Sequence, residues 1–275
     1  MAANNGSEKP ATIRLAALGD CHIREANRGA LQAVLAQVAQ AADVLVLCGD
    51  LTDHGLTDEA KVLAAELSAA KVQTVGVLGN HDYEGGHSGE IAKVLTDAGM
   101  TLLDGEAVEI KGVGFAGVKG FGGGFGRGTL SAFGEPATKA FVQEALHETM
   151  KLEAALLRLR TLSKIAVLHY SPIRGTVENE PPEIFPFLGC SRLEEPINRY
   201  QVTACVHGHA HNGAPEGKTA AGVPVFNVAL PLMRKLFPDR PPFRILEVPV
   251  GPVQGTEAAK AAAGPVMQGA VESRV

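Results

Sequence analysis

"VTACVHGHAHNG", residues 202–213, is apolar in four of its first five positions and then places three histidines within five residues. A short apolar run closed by Gly and Asn reads as a buried strand, with the histidines at its C-terminal end. The same punctuation recurs upstream. "TIRLAAL" (12–18) runs into Gly19-Asp20-Cys21-His22, "DVLVLC" (43–48) into Gly49-Asp50, "VQTVGVL" (72–78) into Gly79-Asn80-His81-Asp82, and "KIAVL" (164–168) into His169. Between the first three lie "NRGALQAVLAQVAQAA" (27–42) and "TDEAKVLAAELSAA" (57–70), both helical in pattern, the second with Thr57 or Asp58 available as a cap. Apolar strands separated by helices predict a largely parallel sheet, and such sheets bind ligands beyond the carboxyl ends of their strands.

The middle of the chain has another rhythm. "EAVEI" and "VGFAGV" suggest short antiparallel strands, followed by a Gly-rich loop, "GFGGGFGRG" (120–128). That loop lacks the G-K-[ST] ending of a phosphate-cradling loop, so a flexible flap is expected there. A long amphipathic helix fits 136–160, with Phe141, Ala145, Leu152, Leu156 and Leu159 near one face. "VPVFNV" (223–228) and "FRILEV" (243–248) complete the strands. Two groups of strands with helices outside both predict an α/β fold, a four-layer α/β/β/α sandwich of two mixed β-sheets flanked by helices. Residues 1–250 read as a single domain and 251–275, without core-like pattern, as a C-terminal tail.

Composition narrows the function classes. The 275 residues are 45% hydrophobic and 20% charged, ordinary for a globular enzyme and too apolar for disorder. A formal charge of −5 gives no basic track for nucleic acid or an anionic membrane, so an anionic substrate needs a local positive source. No apolar run approaches a membrane span and the N-terminus has no apolar leader core, which predicts a cytoplasmic protein. The four cysteines show no C-x-x-C spacing and read as buried thiols.

The strand endings together offer two carboxylates, an amide oxygen and at least four imidazoles. Asp20 and His22 are two apart, as are His209 and His211, so extended backbone would send each pair to one side. A mixed nitrogen and oxygen set suits Mn, Fe or Zn and fits neither an all-oxygen Ca or Mg shell nor a thiolate zinc site.

In order, the endings read "DCH" (20–22), "GDLTDHG" (49–55), "GNHD" (79–82), His169 in "LHYSP" and "GHAH" (208–211). This series resembles that of the calcineurin-like metallophosphoesterases, all five motifs being present between residues 20 and 211. The resemblance implies two transition-metal ions (Mn, Fe or Zn). One would be held by Asp20, His22, Asp50 and His211, the other by Asp50, Asn80, His169 and His209, with Asp50 bridging. It implies a phosphoester hydrolase whose nucleophile is a metal-bridging hydroxide. His81 would protonate or stabilise the leaving oxygen, and Asp82 would orient its imidazole.

The remaining candidates have plainer readings. Asp53 is expected beside the ligands as a support or loop-former, His207 in the core or behind the ligands, and His54, His87 and His147 in solvent. Arg127 reads as a loop charge, and Arg174 as either a loop charge or a residue reaching the substrate. The segment 171–196 should overhang the site, and its five glutamates against two arginines would repel a nucleic-acid strand. The substrate expected is therefore small, and the compact single-domain plan, which resembles the cyclic-nucleotide-phosphodiesterase branch, implies a small phosphodiester; a phosphomonoester, or a non-catalytic binding scaffold, are the alternatives. No nucleic-acid or membrane partner is expected, and an oligomer is possible without being indicated.

Overall fold

The computed structural model describes residues 11–251, and the stretch read as a tail lies outside them apart from Gly251. In chain order the elements are β1 (Thr12–Leu18), α1 (Gln32–Ala41), β2 (Val44–Cys48), α2 (Thr57–Ala70), β3 (Gln73–Val77), α3 (His81–Glu84), α4 (Ser88–Asp97) and β4 (Thr101–Leu102). The second half has β5 (Ala107–Ile110), β6 (Val113–Gly117), α5 (Pro136–Arg158), β7 (Ser163–Val167), α6 (Phe185–Leu188), α7 (Glu194–Arg199), β8 (Ala204–His207) and β9 (Glu216–Lys218). It closes with β10 (Pro224–Asn227), α8 (Leu230–Leu236) and β11 (Arg244–Pro249).

The strands form two mixed sheets, as expected: β11-β1-β2-β3-β4 and β5-β6-β7-β8-β10-β9. In the first, β1 to β4 pair in parallel and β11 is antiparallel to β1; in the second, β6, β7, β8 and β10 are parallel between antiparallel edges. Parallel neighbours joined by crossovers end on one side, so one edge of each sheet collects the loops that follow β1, β2, β3, β7 and β8.

Alternation along the strands explains why they read as unbroken apolar runs. Leu15, Ala17, Val46, Val75 and Val77 face Phe115, Ile165, Val167 and Val206 of the other sheet in one shared core. Their neighbours Ala16, Leu18, Leu45 and Leu47 pack instead on Leu35, Val38, Leu63, Leu67, Ile91 and Leu95 from the outer helices. On the far side, Ala116, Ala166, Leu168 and Cys205 meet Leu152, Leu156 and Ile197. Strands buried on both faces leave no polar alternation to read.

Three local details bear on the expectations. Neither Thr57 nor Asp58 caps α2; both lie in its first turn, and the Glu59 carboxylate reaches back to the N–H groups of His54 (2.9 Å) and Leu56 (3.3 Å). The Gly-rich loop is not free along its first half, because Gly123 N–H donates to Pro186 and Gly124 N–H to Gly189. The exposed part is confined to residues 126–128. Among the described residues no helix is long and apolar enough to cross a membrane.

Candidate metal centre

The loops after β1 and β2 are laced together: Asp20 N–H donates to Gly49 and His22 N–H to Asp50. Asp20, His22 and Asp50 all have positive φ (57°, 44° and 48°), as does His209 at 70°. The Asp20–His22 and His209–His211 pairs are thus not set by extended backbone. They reach the site through left-handed turns, a conformation costing of order 1–3 kcal/mol per residue that persists where surrounding contacts over-determine it. The glycines before the polar residues have a steric reason. A Cβ on Gly79 would lie 2.1 Å from Asp50 Oδ1, and one on Gly208 would lie 2.2 Å from Asp20 Oδ2. Only a bare α-carbon lets each carboxylate approach the neighbouring loop so closely.

The second sheet contributes imidazoles. His169 is fully buried; its Nδ1–H donates to the Cys48 carbonyl at 2.9 Å, which leaves Nε2 with a lone pair. That lone pair sits 2.9 Å from Asn80 Oδ1 and 3.3 Å from Asp50 Oδ1, both acceptors. His209 Nε2 donates to the Phe187 carbonyl (3.1 Å), freeing its Nδ1. His211 Nε2 lies 2.9 Å from Asp20 Oδ1. His22 has both ring nitrogens buried and without a hydrogen-bond partner, although Nδ1 is 3.1 Å from Asp53 Oδ1, out of line for a hydrogen bond.

All seven expected ligands therefore converge, in overlapping groups. Asp20, His22 and His211 offer donor atoms within 4.8 Å of one another; so do His22, Asp53 and His81, which share His22 with the first group, and Asp50, His169 and His209, with Asn80 against His169. The two halves meet at Asp50, whose Oδ1 faces His169 (3.3 Å) while Oδ2 faces His22 (3.9 Å) and His81 (3.9 Å). Three lone pairs meeting without a proton, and a buried imidazole with neither nitrogen satisfied, are costly unless a cation stands among them. The residues present fit a pair of metal ions.

Burial drives the local titration. It holds His22 below and His169 well below the ordinary imidazole value, and takes His209 down to about 3, with His169 adding repulsion. These rings are neutral, the form that ligates. The same burial pushes Asp20 up to about 6, with the hydrogen bond to His211 opposing and Asp50 nearby raising it further.

His81 and Asp82 part company here. His81 is 37% exposed along its side chain, and its Nδ1–H donates to the Asp53 carbonyl at 2.6 Å, so Nε2 faces the cleft. Burial disfavours its charged form, but that carbonyl and the carboxylates of Asp50, Asp53 and Glu84 outweigh the effect, and its pKa is raised. Asp82, expected to orient this ring, makes no contact with it. Its buried carboxylate accepts N–H bonds from Leu51 (3.1 Å), Thr52 (2.8 Å) and Gly79 (2.8 Å) and the Thr52 hydroxyl (2.6 Å). Asp82 staples the β2 loop to the β3 loop. Orientation of His81 falls to a main-chain carbonyl, which no side-chain pattern announces.

Asp53 is more than a loop-former. Its carboxylate accepts from Arg24 Nε (2.5 Å) and lies 3.0 Å from His54 Nε2, so it gathers charge behind His22 and His81. His207 is buried, its Nε2 2.8 Å from the Thr176 hydroxyl, and takes no part in either donor group. His54 is exposed, as expected, with Asp53 and Glu84 beside it; His87 and Arg127 are exposed too, while Arg174 pairs with Glu178 (2.9 Å). All four cysteines are free and buried.

A model of the calcineurin-like phosphoesterase family matches residues 13–213. Among solved structures the chain is similar to the phosphopantetheinyl hydrolase PptH from Mycobacterium tuberculosis, with TM-score 0.63 at 16% identity over 86% of this chain and 97% of that one. It is also similar to TT1561 of Thermus thermophilus (TM-score 0.50, 16% identity, 81% and 92% covered). Purple acid phosphatase PPD1 from yellow lupin seeds gives TM-score 0.51 at 15% identity, over 82% of this chain and 44% of that one. Comparison with curated protein sequences finds no match. Similarities at this identity speak for the fold, while the family model spans the motifs themselves, from the loop after β1 to the one after β8. The chain belongs to the calcineurin-like phosphoesterases and is a metal-dependent phosphoric ester hydrolase.

Proposed function

We propose that the chain hydrolyses a small phosphodiester at two metal ions, one held by Asp20, His22, Asp50 and His211 and the other by Asp50, Asn80, His169 and His209. The observation that carries this reading is the convergence of three acceptors: His169 Nε2 lies 2.9 Å from Asn80 Oδ1 and 3.3 Å from Asp50 Oδ1, with no proton to share. The ions would supply Lewis acidity toward the phosphoryl oxygens and an activated water. Everything else is done by the chain. The two oxygens of Asp50 face the two halves of the centre, which supports it as the carboxylate that both ions would share. The carbonyls of Cys48 and Phe187 fix the tautomers of His169 and His209 so that a lone pair points inward.

His81 is placed to hand a proton from Nε2 to the departing oxygen, with Nδ1 anchored on the Asp53 carbonyl. A monoester and a diester alike expel one alkoxide that needs this proton, so His81 serves either; what favours the diester is the single-domain plan, which resembles the cyclic-nucleotide-phosphodiesterase branch. The segment 171–196 reaches the centre through the Phe187 carbonyl, and its exposed Glu178 and Glu183 disfavour a long polyanion.

Metal analysis of the purified protein, coupled to turnover of p-nitrophenyl mono- and diesters, a cyclic nucleotide, a phosphopantetheinyl ester and a carboxylic ester, tests the reading. Two bound ions and preferential diester hydrolysis are expected. Preference for the monoester would move the substrate class, and a metal-free preparation that will not take up ions would overturn the assignment.

A further inference from the structure

Lys119 follows β6 on the edge that carries the metal centre, and its main-chain carbonyl accepts from both His169 and Tyr170 N–H at 3.0 Å. Its ammonium sits among three rings, 4.9 Å from the centroid of Phe121, 5.3 Å from Tyr170 and 5.5 Å from Tyr83. Two of those rings belong to the site. Tyr170 packs on His209 with centroids 4.4 Å apart, and Tyr83 stands two residues beyond His81. The ammonium thus lies between the two sheet edges, one ring from the imidazole nearest it.

It is also an unspent charge. Its one hydrogen bond is to the Gly120 carbonyl (2.8 Å). Of the three acids near it, Glu144 makes no ion pair with it, and Lys151 takes the other two, Asp104 (2.5 Å) and Glu148 (2.8 Å), the latter's other oxygen accepting the Gly120 N–H (2.7 Å). Among the described residues Lys119 has no ion-pair partner, although burial penalises its charged form. Rings stabilise a cation without neutralising it. Beside it opens a cavity of about 190 Å³, lined among others by Leu78, Tyr83, Ser88 and Asp104. At about 30 Å³ per water this is room for about six waters, enough for a carboxylate or phosphate on a short arm. In a chain of net charge −5 this is a local positive source in addition to the metals.

We propose that Lys119 and its cavity form a second anion site flanking the metal centre, selecting phosphoesters whose organic substituent carries a further carboxylate or phosphate. The proposal rests on the phosphoester reading above and adds the substrate class. A charge-assisted hydrogen bond of this kind corresponds to about 10- to 100-fold in affinity.

Calorimetric titration of the metal-loaded full chain separates the two claims. The probes are methyl phosphate, which has no second charge, and phosphoglycolate with its homologues one and two methylenes longer. At least one homologue should bind about tenfold or more tightly than methyl phosphate. Lys119→Met should erase that gain and leave methyl phosphate within about twofold, and Lys119→Arg should recover part of it. In the unaltered protein the best homologue, and not methyl phosphate, should protect Lys119 from reductive methylation read by peptide mass, a measurement that needs no variant to fold. Equal loss of every probe in Lys119→Met, or no protection, overturns the second site and leaves the phosphoester reading standing. Failure of both methyl phosphate and dimethyl phosphate to bind the unaltered protein overturns that reading, and the Lys119 site with it.

Discussion

The two sheets feed the centre with different chemistry. From the ends of β1, β2 and β3 come Asp20, Asp50 and Asn80, the oxygen donors, along with His22; from β7 and β8 come only imidazoles, His169, His209 and His211. Their supports differ in the complementary sense. The carboxylates are held by main-chain N–H groups, Asp20 by His209 and Asp50 by His81, whereas the imidazoles of His169 and His209 are held by carbonyls. Each hydrogen bond also crosses from one segment of the chain to another, so the donor atoms of one are positioned by the backbone of a different one. All the formal negative charge of the proposed centre comes from one sheet, and the other offers neutral imidazoles that would tune geometry without cancelling cation charge.

That division predicts unequal losses. Asp50→Ala removes the carboxylate facing both halves, so both ions should be lost and turnover should fall about a thousandfold or more, given several kcal/mol of Lewis-acid stabilisation. Metal content by mass spectrometry, alongside diester turnover, checks it; an Asp50→Ala protein that keeps two ions would show that the sheets hold their metals independently. Next come the single-sided variants. His169→Ala should leave the ion on the Asp20 side and His22→Ala the ion on the Asn80 side, each giving about one ion per chain with a correctly folded protein. If His169→Ala empties both positions, the imidazole sheet is not the auxiliary partner argued here.

The residues that bring the donors together are readable because each is a side chain standing after an apolar run, and five such endings in register carry more information than any one. What escapes the sequence is what has no side-chain signature. Strand β4 has two residues and β9 reads Glu-Gly-Lys, too short or too polar to register as strands. Helix α4 buries only Ile91 and Leu95, and α8 is a seven-residue piece starting at a Leu-Pro pair. The left-handed backbone at Asp20, His22, Asp50 and His209 is imposed by tertiary contacts on residue types that do not demand it. Asp82 departs from its expected role for a related reason: its partners are the N–H groups of Leu51, Thr52 and Gly79, which almost any residue would supply.

His81 stands on the oxygen sheet and tests whether that sheet also supplies the proton. His81→Ala should keep both ions and slow esters of poor leaving groups by about a hundredfold, while p-nitrophenyl esters, which leave without a proton, should change little. Rates measured across a leaving-group series decide it. A uniform slowing across the series would place His81 in substrate binding instead.

The smallest effect belongs to Asp53, a carboxylate outside the expected ligands that lies against imidazoles and so runs against the division between the sheets. Its carbonyl holds His81, but its side chain lies beside His22, with Arg24 and His54 behind it. Burial works against that carboxylate's charge, yet the hydrogen bond and positive charge of Arg24 win and keep its pKa below the ordinary value. Asp53→Asn preserves the main chain and removes only the charge. Affinity for the ion on the Asp20 side should therefore fall about tenfold, the low end for a group behind a ligand, as read by competition with a chelator. The leaving-group series should be unchanged, because the carbonyl that anchors His81 remains. A steeper leaving-group dependence in Asp53→Asn would mean that the carboxylate, not the carbonyl, sets the imidazole, and the support of the oxygen sheet would then be ionic where the geometry makes it main-chain.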